Sequence, residues 1–198
     1  MPAVMNKNVV MDKKALRKSL LQARQSIAPE IWQAKSSQLC DHLRSSALFT
    51  QAQTVLAYFS IRQEPDLSLL FPASKTWGFP RCVGKRLTWH VWSPDGSLAL
   101  QAGAYGIPEP CPDSPILEPD QVDLMLVPAI ACDTGGYRLG YGGGFYDRLL
   151  ASPVWAEKIT IGIVFDSAYL SIVPEDAWDQ PLTAVCTEKG LFFSEQRL

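Results

Sequence analysis

Gly135-Gly136-Tyr137-Arg138-Leu139-Gly140-Tyr141-Gly142-Gly143-Gly144-Phe145-Tyr146-Asp147-Arg148 is the stretch on which the fold turns. It follows the apolar run Leu124-Met125-Leu126-Val127, which has the composition of a buried strand, and leads into Arg148-Leu149-Leu150-Ala151, which continues as a helix. A glycine-rich turn between strand and helix brings backbone N–H groups together on an anion, helped by the positive end of the helix dipole. Arg138 and Arg148 add guanidinium forks suited to phosphate oxygens, and Asp147 adds a carboxylate. This mixture suits a phosphate and a hard cation held together.

Working outward, residues 122–127 form the strand that feeds the loop. Apolar, β-branched segments at 54–60, 159–165 and 183–186 read as further strands. Asp12 is placed to cap a helix through about residue 27, with Leu16, Leu20, Ala23 and Ile27 as its apolar stripe. Lys13, Arg17 and Arg24 fall in one row along the edge of that stripe. Periodicity alone favours a solvated edge there, with a cleft border as the alternative. Pro29 opens a second helix to about residue 47, with Trp32, Leu39 and Leu43 facing inward. Strands at 76–80 and 86–92 read as a smaller sheet region, followed by a turn at Pro94-Asp95-Gly96. The proline-rich interval 103–120 reads as irregular, and residues 1–11 as a loose tail. Alternating strands and helices predict an α/β fold: a single three-layer domain, residues 1–198, with a mostly parallel central sheet flanked by helices.

Composition excludes several classes of function. A chain of 198 residues with 47% hydrophobic and 19% charged residues is globular, and a net charge of -2 argues against nucleic-acid binding by bulk charge. Five cysteines with no Cys-x-x-Cys pair and only two histidines argue against a disulfide scaffold or a zinc site. No apolar run approaches the ~20 residues of a membrane span, and no secretory signal is visible. These features read as a cytoplasmic protein with reduced thiols.

Ligands of open α/β sheets bind beyond the carboxyl ends of strands. Glu64, Asp133, Asp166 and Glu188 all follow predicted strands and are expected to cluster. Taken singly, Glu64 reads as a solvated loop acid, and Asp147 as a partner of Arg148 or a helix cap. Trp77, Trp89, Trp92 and Tyr105 read as core residues, His90 as structural, and no cysteine has an activating pattern. The loop lacks the Gly-x-x-x-x-Gly-Lys-Ser/Thr motif and the last glycine of Gly-x-Gly-x-x-Gly. Residue types alone leave phosphate binding and a structural turn evenly balanced.

The full string from Arg138-Leu139-Gly140 to Tyr146-Asp147-Arg148 resembles the signature of the 5-formyltetrahydrofolate cyclo-ligase (methenyltetrahydrofolate synthetase) family. Lys13 and Arg17 match its N-terminal Lys-x-x-x-Arg pattern. Tyr58-Phe59-Ser60, Glu64, Phe79-Pro80-Arg81, Gly106-Ile107-Pro108-Glu109-Pro110, residues 123–128, residues 162–166, Val173-Pro174, Asp179 and Thr187-Glu188 follow in order. The resemblance implies an ATP- and Mg²⁺-dependent closure of 5-formyltetrahydrofolate to 5,10-methenyltetrahydrofolate, through a phosphorylated formyl group, with ADP and phosphate released. It implies that Lys13 and Arg17 hold ATP phosphates, and that Arg138, Leu139, Gly140, Tyr141, Gly142, Gly143, Gly144, Phe145 and Tyr146 wrap the nucleotide. Arg138 and Tyr146 are the implied catalytic residues. Phe59 and Glu64 are implied to bind folate, Glu64 at the pterin, and Asp147 and Asp179 to hold Mg²⁺. The implied partner is a folate, with or without a polyglutamate tail, bound by a monomer without nucleic acid or membrane.

The chain departs from the family pattern at Trp178, where His precedes the Asp. It departs again at Ser167-Ala168, where Gln often falls, and at Ala129, where Gly often follows the proline. Two other readings remain. In one, a sugar-phosphate isomerase holds substrate phosphate in the loop and moves a proton with Glu64 or Asp133. In the other, a folate- or nucleotide-binding regulator has lost activity through Trp178 and Ser167.

Overall fold

A computed structural model describes residues 12–96 and 99–196; the tail expected at 1–11 lies outside them. The chain opens with α1 (Lys13–Gln25), whose first turn is capped by the Asp12 carboxylate accepting from Lys14 N–H. α2 (Pro29–Ser45) starts on its proline, and α3 (Ala47–Gln51) starts at the Ser46 cap. Then come β1 (Thr54–Leu56), β2 (Thr76–Val83) and β3 (Arg86–Val91). A small ribbon, β4 (Gln101–Ala102) and β5 (Pro108–Glu109), interrupts the proline-rich interval, which is otherwise irregular as expected. β6 (Leu124–Pro128) leads to the hairpin β7 (Ala131–Asp133) and β8 (Arg138–Leu139). α4 (Phe145–Leu150), α5 (Pro153–Ala156), β9 (Ile159–Ile163), β10 (Tyr169–Leu170), β11 (Ala184–Thr187) and β12 (Gly190–Phe193) complete the fold.

One seven-stranded sheet runs in the order β12-β11-β9-β6-β1-β2-β3. Its inner neighbours are parallel, and β3 and β12 pair antiparallel at the two edges. Side chains alternate between the faces, as a strand covered on both sides requires. Along β6, Leu124 and Leu126 pack with Leu39, Leu43 and Phe79 beside α2, whereas Met125 and Val127 pack with Trp89, Leu150 and Trp155 beside α4 and α5. The mostly parallel sheet flanked by helices is therefore the expected architecture.

Four expectations are corrected. Segments 76–80 and 86–92 do not form a separate smaller sheet: β2 and β3 extend the main one. The strand expected over 54–60 ends at Leu56, after which the chain leaves the ladder and turns through Arg62 and Gln63, both at positive φ. The long glycine string is not one loop. Gly135 and Gly136 turn the β7–β8 hairpin, Arg138 and Leu139 are strand, and only residues 140–144 form the loop that precedes α4. The Asp133 carboxylate fixes that hairpin by accepting from Tyr137 N–H and Val173 N–H, both at 2.9 Å. α1 lies across the hairpin, packing Leu16, Leu20 and Leu21 on Ile130, Ala131 and Leu139. Ala23, expected in the stripe, is exposed.

Candidate active site

The parallel strands stand in the order β2-β1-β6-β9-β11, so chain direction across the sheet reverses between β1 and β6. Ligands bind outside the carboxyl ends of strands at such a reversal. A cleft of about 720 Å³ opens there, within the ~300–1,000 Å³ of small-molecule sites. Its lining includes Tyr58, Phe59 and Glu64 from the segment after β1, Pro128 ending β6, Pro80 and Cys82 of β2, and residues 138–147. Lys13 and Arg17 enter from α1, and Asp176, Trp178 and Asp179 from the segment before β11. Every residue to which the family resemblance gave a site role thus lines one cleft.

On one side lies Glu64. It is not the solvated loop acid that its sequence context alone implied: it is 2% exposed. Its backbone carbonyl accepts from Trp32 Nε1–H and the Ser60 hydroxyl, so its position is set by α2 and the turn. Its Oε1 accepts from the Tyr141 hydroxyl at 2.5 Å, and its Oε2 from Ile61 N–H at 3.1 Å. Burial raises its pKa, and those two hydrogen bonds oppose the rise. Phe59 stacks on Phe79 at 4.2 Å and meets Trp92 edge-on, leaving a half-buried aromatic wall beside the acid.

Around the glycine loop lie the cations. Arg17 Nε donates to Gly140 O at 2.8 Å, which ties the loop to α1. Arg138 donates to Asp147, and its guanidinium lies 5.5 Å from the centroid of the half-buried Tyr146 ring. Asp147 therefore pairs with Arg138 and not with Arg148, which binds Gly143 O and Lys85 O instead. Lys13 Nζ binds Asp176 at 2.5 Å and Asp179 at 3.2 Å. The basic row of α1 is consequently a cleft border, not a solvated edge. α4 has only six residues, so positive charge at the loop comes chiefly from these side chains.

Among the described residues no group of three His, Cys, Asp or Glu side chains forms a metal site. Asp147 and Asp179 both reach the cleft, each facing a protein cation. That donor set fits Mg²⁺ carried on a polyphosphate, which needs one or two carboxylates and takes its other oxygens from phosphate and water.

The remaining strand-end acids do not all converge. Asp133 serves the hairpin. Asp166 and Glu188 meet each other through Asp166 N–H donating to Glu188 Oε2 at 2.7 Å, and Glu188 pairs with Lys35; neither lines the cleft. Tyr105 corrects the core expectation: it is 80% exposed, at φ 61, on the cleft rim against Phe145. Trp77 and Trp89 are core, and His90 is buried, bonded to Ser114 O and Thr88. Burial pushes the Cys40, Cys132 and Cys186 thiols up to about 12, which removes them as nucleophiles. Sequence reasoning missed Arg62, Glu109 and Asp176 as cleft residues. Glu109 sits in the recognised Gly106–Pro110 string, but nothing in the residue pattern marked the other two.

The family model described as the 5-formyltetrahydrofolate cyclo-ligase family matches residues 9–188. A protein of Mycolicibacterium smegmatis named 5-formyltetrahydrofolate cyclo-ligase is 31% identical over 192 residues, covering 89% of this chain and 94% of that protein. One of the same name from Escherichia coli K12 is 30% identical, covering 84% and 94%. The structure of Aquifex aeolicus 5,10-methenyltetrahydrofolate synthetase superposes with a TM-score of 0.81 at 33% identity, covering 92% of this chain and 93% of that one.

Proposed function

The chain belongs to the 5-formyltetrahydrofolate cyclo-ligase family, and from that premise we propose how its cleft carries out the ATP-dependent conversion of 5-formyltetrahydrofolate to 5,10-methenyltetrahydrofolate. One observation carries the reading. A single cleft holds a buried acid with unused carboxylate lone pairs and, around a backbone almost free of side chains, three phosphate-seeking cations: Lys13, Arg17 and Arg138.

In this reading Glu64 takes the N–H donors of the pterin, and Phe59 packs on its ring. Residues 139–145 wrap the nucleotide, with Gly142 and Gly144 at φ +93 and +65, where side chains are rarely tolerated. Lys13, Arg17 and Arg138 hold its phosphates. Asp147 and Asp179 would hold Mg²⁺, which would supply neutralisation of the charge that develops on transfer. Arg138 turns from Asp147 to phosphate and Lys13 from Asp179, which frees the two carboxylates that would hold the ion.

The formyl oxygen of the substrate attacks the γ-phosphorus, forming an O–P bond as the bond to ADP breaks. N10 then attacks the activated formyl carbon, the C–O bond breaks, and phosphate leaves with the oxygen; the N10 proton passes to solvent. A formamide oxygen is a poor leaving group, and phosphorylation makes it a good one. Such transfer needs positioning and charge stabilisation and no protein nucleophile. Arg138 stabilises the transferring phosphoryl group, and Tyr146, beneath the Arg138 guanidinium, borders the reacting formyl group.

The reading extends to the whole chain as one catalytic unit, acting as a monomer in the cytoplasm on mono- or polyglutamylated folate, without nucleic acid or membrane. Its support is the net charge of -2 and five free cysteines. Among the described residues no helix is long and apolar enough to cross a membrane. Purified protein supplied with ATP, Mg²⁺ and (6S)-5-formyltetrahydrofolate should raise near-ultraviolet absorbance in step with ADP release. Absence of both signals would refute the assignment.

A further inference from the structure

Within residues 140–144 Tyr141 alone carries a side chain; the other four are glycines. Arg17 and Arg148 hold the loop by its backbone carbonyls, so a tether made by the loop's own side chains must pass through Tyr141. Its hydroxyl donates to Glu64 Oε1 at 2.5 Å and accepts from Arg24 Nη2. Arg24 is 8% exposed, unusual for an arginine, and each of its three guanidinium nitrogens makes a hydrogen bond. Nε donates to Arg62 O at 3.0 Å and Nη1 to Ala129 O at 3.2 Å. One buried cation thus spans α1, the turn after β1, the end of β6 and the glycine loop.

Resting on the reading above, we propose that Arg24 is a positioning residue that joins the glycine loop to Glu64 through the Tyr141 hydroxyl, coupling occupancy of the nucleotide and folate ends of the cleft. A carboxylate offers about four lone-pair sites. Tyr141 and Ile61 use two of those on Glu64, and the remainder receive the pterin donors without displacing the tether. Folate bound at Glu64 fixes the carboxylate, the fixed carboxylate holds the Tyr141 hydroxyl, and the loop is ordered before the nucleotide arrives. The ordering cost is met once for two ligands, which is positive coupling. The same logic runs in reverse from nucleotide to folate.

Calorimetry tests it. In the wild type, a non-hydrolysable ATP analogue with Mg²⁺ should tighten binding of 5-formyltetrahydrofolate by about tenfold, inside the ~5–150-fold range of such couplings. In Tyr141→Phe, which removes one oxygen, that ratio should fall to within about twofold of unity, whatever the change in either ligand's separate affinity. Arg24→Lys keeps the charge and loses the fork, and should act in the same direction. A wild-type ratio retained in Tyr141→Phe overturns the proposal. A second readout needs no ligand: hydrogen exchange of the 140–144 amides should quicken several-fold in both variants, and unchanged exchange also overturns it. Because exchange involves no substrate, a wild-type chain that makes no methenyl product refutes the function and leaves the tether standing. Turnover with unaltered exchange does the opposite.

Discussion

Gly136 and Gly142 stand six positions apart in one glycine-rich string, both at left-handed φ, +87 and +93. Their surroundings are opposite. A Cβ at Gly136 would meet Ser194 Oγ at 2.3 Å and the Leu182 carbonyl at 2.6 Å, whereas at Gly142 the nearest atom is Arg17 Cζ at 3.9 Å. The first glycine lets a hairpin pack against the chain returning to β11, so its partners are the protein itself. The second faces an open cleft, so its φ calls for glycine but no neighbouring atom does. In the proposed reading that open space takes the nucleotide. The same residue type, in the same string and nearly the same conformation, meets packed protein at one end and an open cleft at the other.

Substitution should separate the two ends. Gly136→Ala should have the largest effect, because the wrong φ costs ~1–2 kcal/mol and overpacking against a backbone carbonyl adds ~1–3 kcal/mol. Thermal unfolding should shift far downward, with activity lost in proportion to folded protein. Gly142→Val carries the φ penalty but no overpacking, so its melting temperature should fall less than that of Gly136→Ala, while turnover drops about 100-fold as the backbone is pushed from its proposed phosphate position. Equal losses of stability and turnover at Gly142 would erase the contrast.

The same contrast marks how far the sequence could be read. The strand at β6 and the helices at α1 and α2 were legible because their apolar residues repeat at periods tied to one element. The hairpin inside the string was not, because what defines it is remote: Asp133 binding Val173 N–H, and Leu182 O accepting no Cβ from Gly136. Glycine spacing carries no record of such partners. Lys13 and Arg17 stood out in a basic row and Arg138 beside the glycines, resemblance to a family assigned them to phosphate, and their convergence is a product of topology. Arg24 was noticed as part of a basic row, but its burial depends on Ala129, Arg62 and Tyr141 meeting from three other segments. Tyr105 was misassigned since an aromatic beside prolines gives no sign of which side faces solvent.

Arg138 lies at the boundary between the two ends, on a strand but aimed into the cleft. Arg138→Ala removes a charge-assisted phosphate contact worth ~1.5–3 kcal/mol, so the KM for ATP should rise roughly tenfold to a hundredfold. Asp147, left without its partner, is partly exposed and stays solvated, so the melting temperature should move little. An unchanged KM for ATP with a large loss of stability would assign Arg138 to the hairpin instead.

The smallest effect concerns Glu64, where the fold carries a cost for the sake of the cleft. Burial holds its pKa above the ordinary 4.5 despite hydrogen bonds from Tyr141 and Ile61. An acid whose pKa is higher folded than unfolded favours folding while it is protonated, and loses that contribution as pH rises through its folded value. Glu64→Gln cannot ionise. The wild type should therefore lose stability relative to Glu64→Gln as pH climbs from the ordinary value of 4.5 upward, while the variant binds folate more weakly throughout. Thermal unfolding of both proteins across that range measures the difference directly. A gap that stays constant with pH would mean that Glu64 is charged at no net cost, and that Tyr141 and Ile61 fully offset its burial.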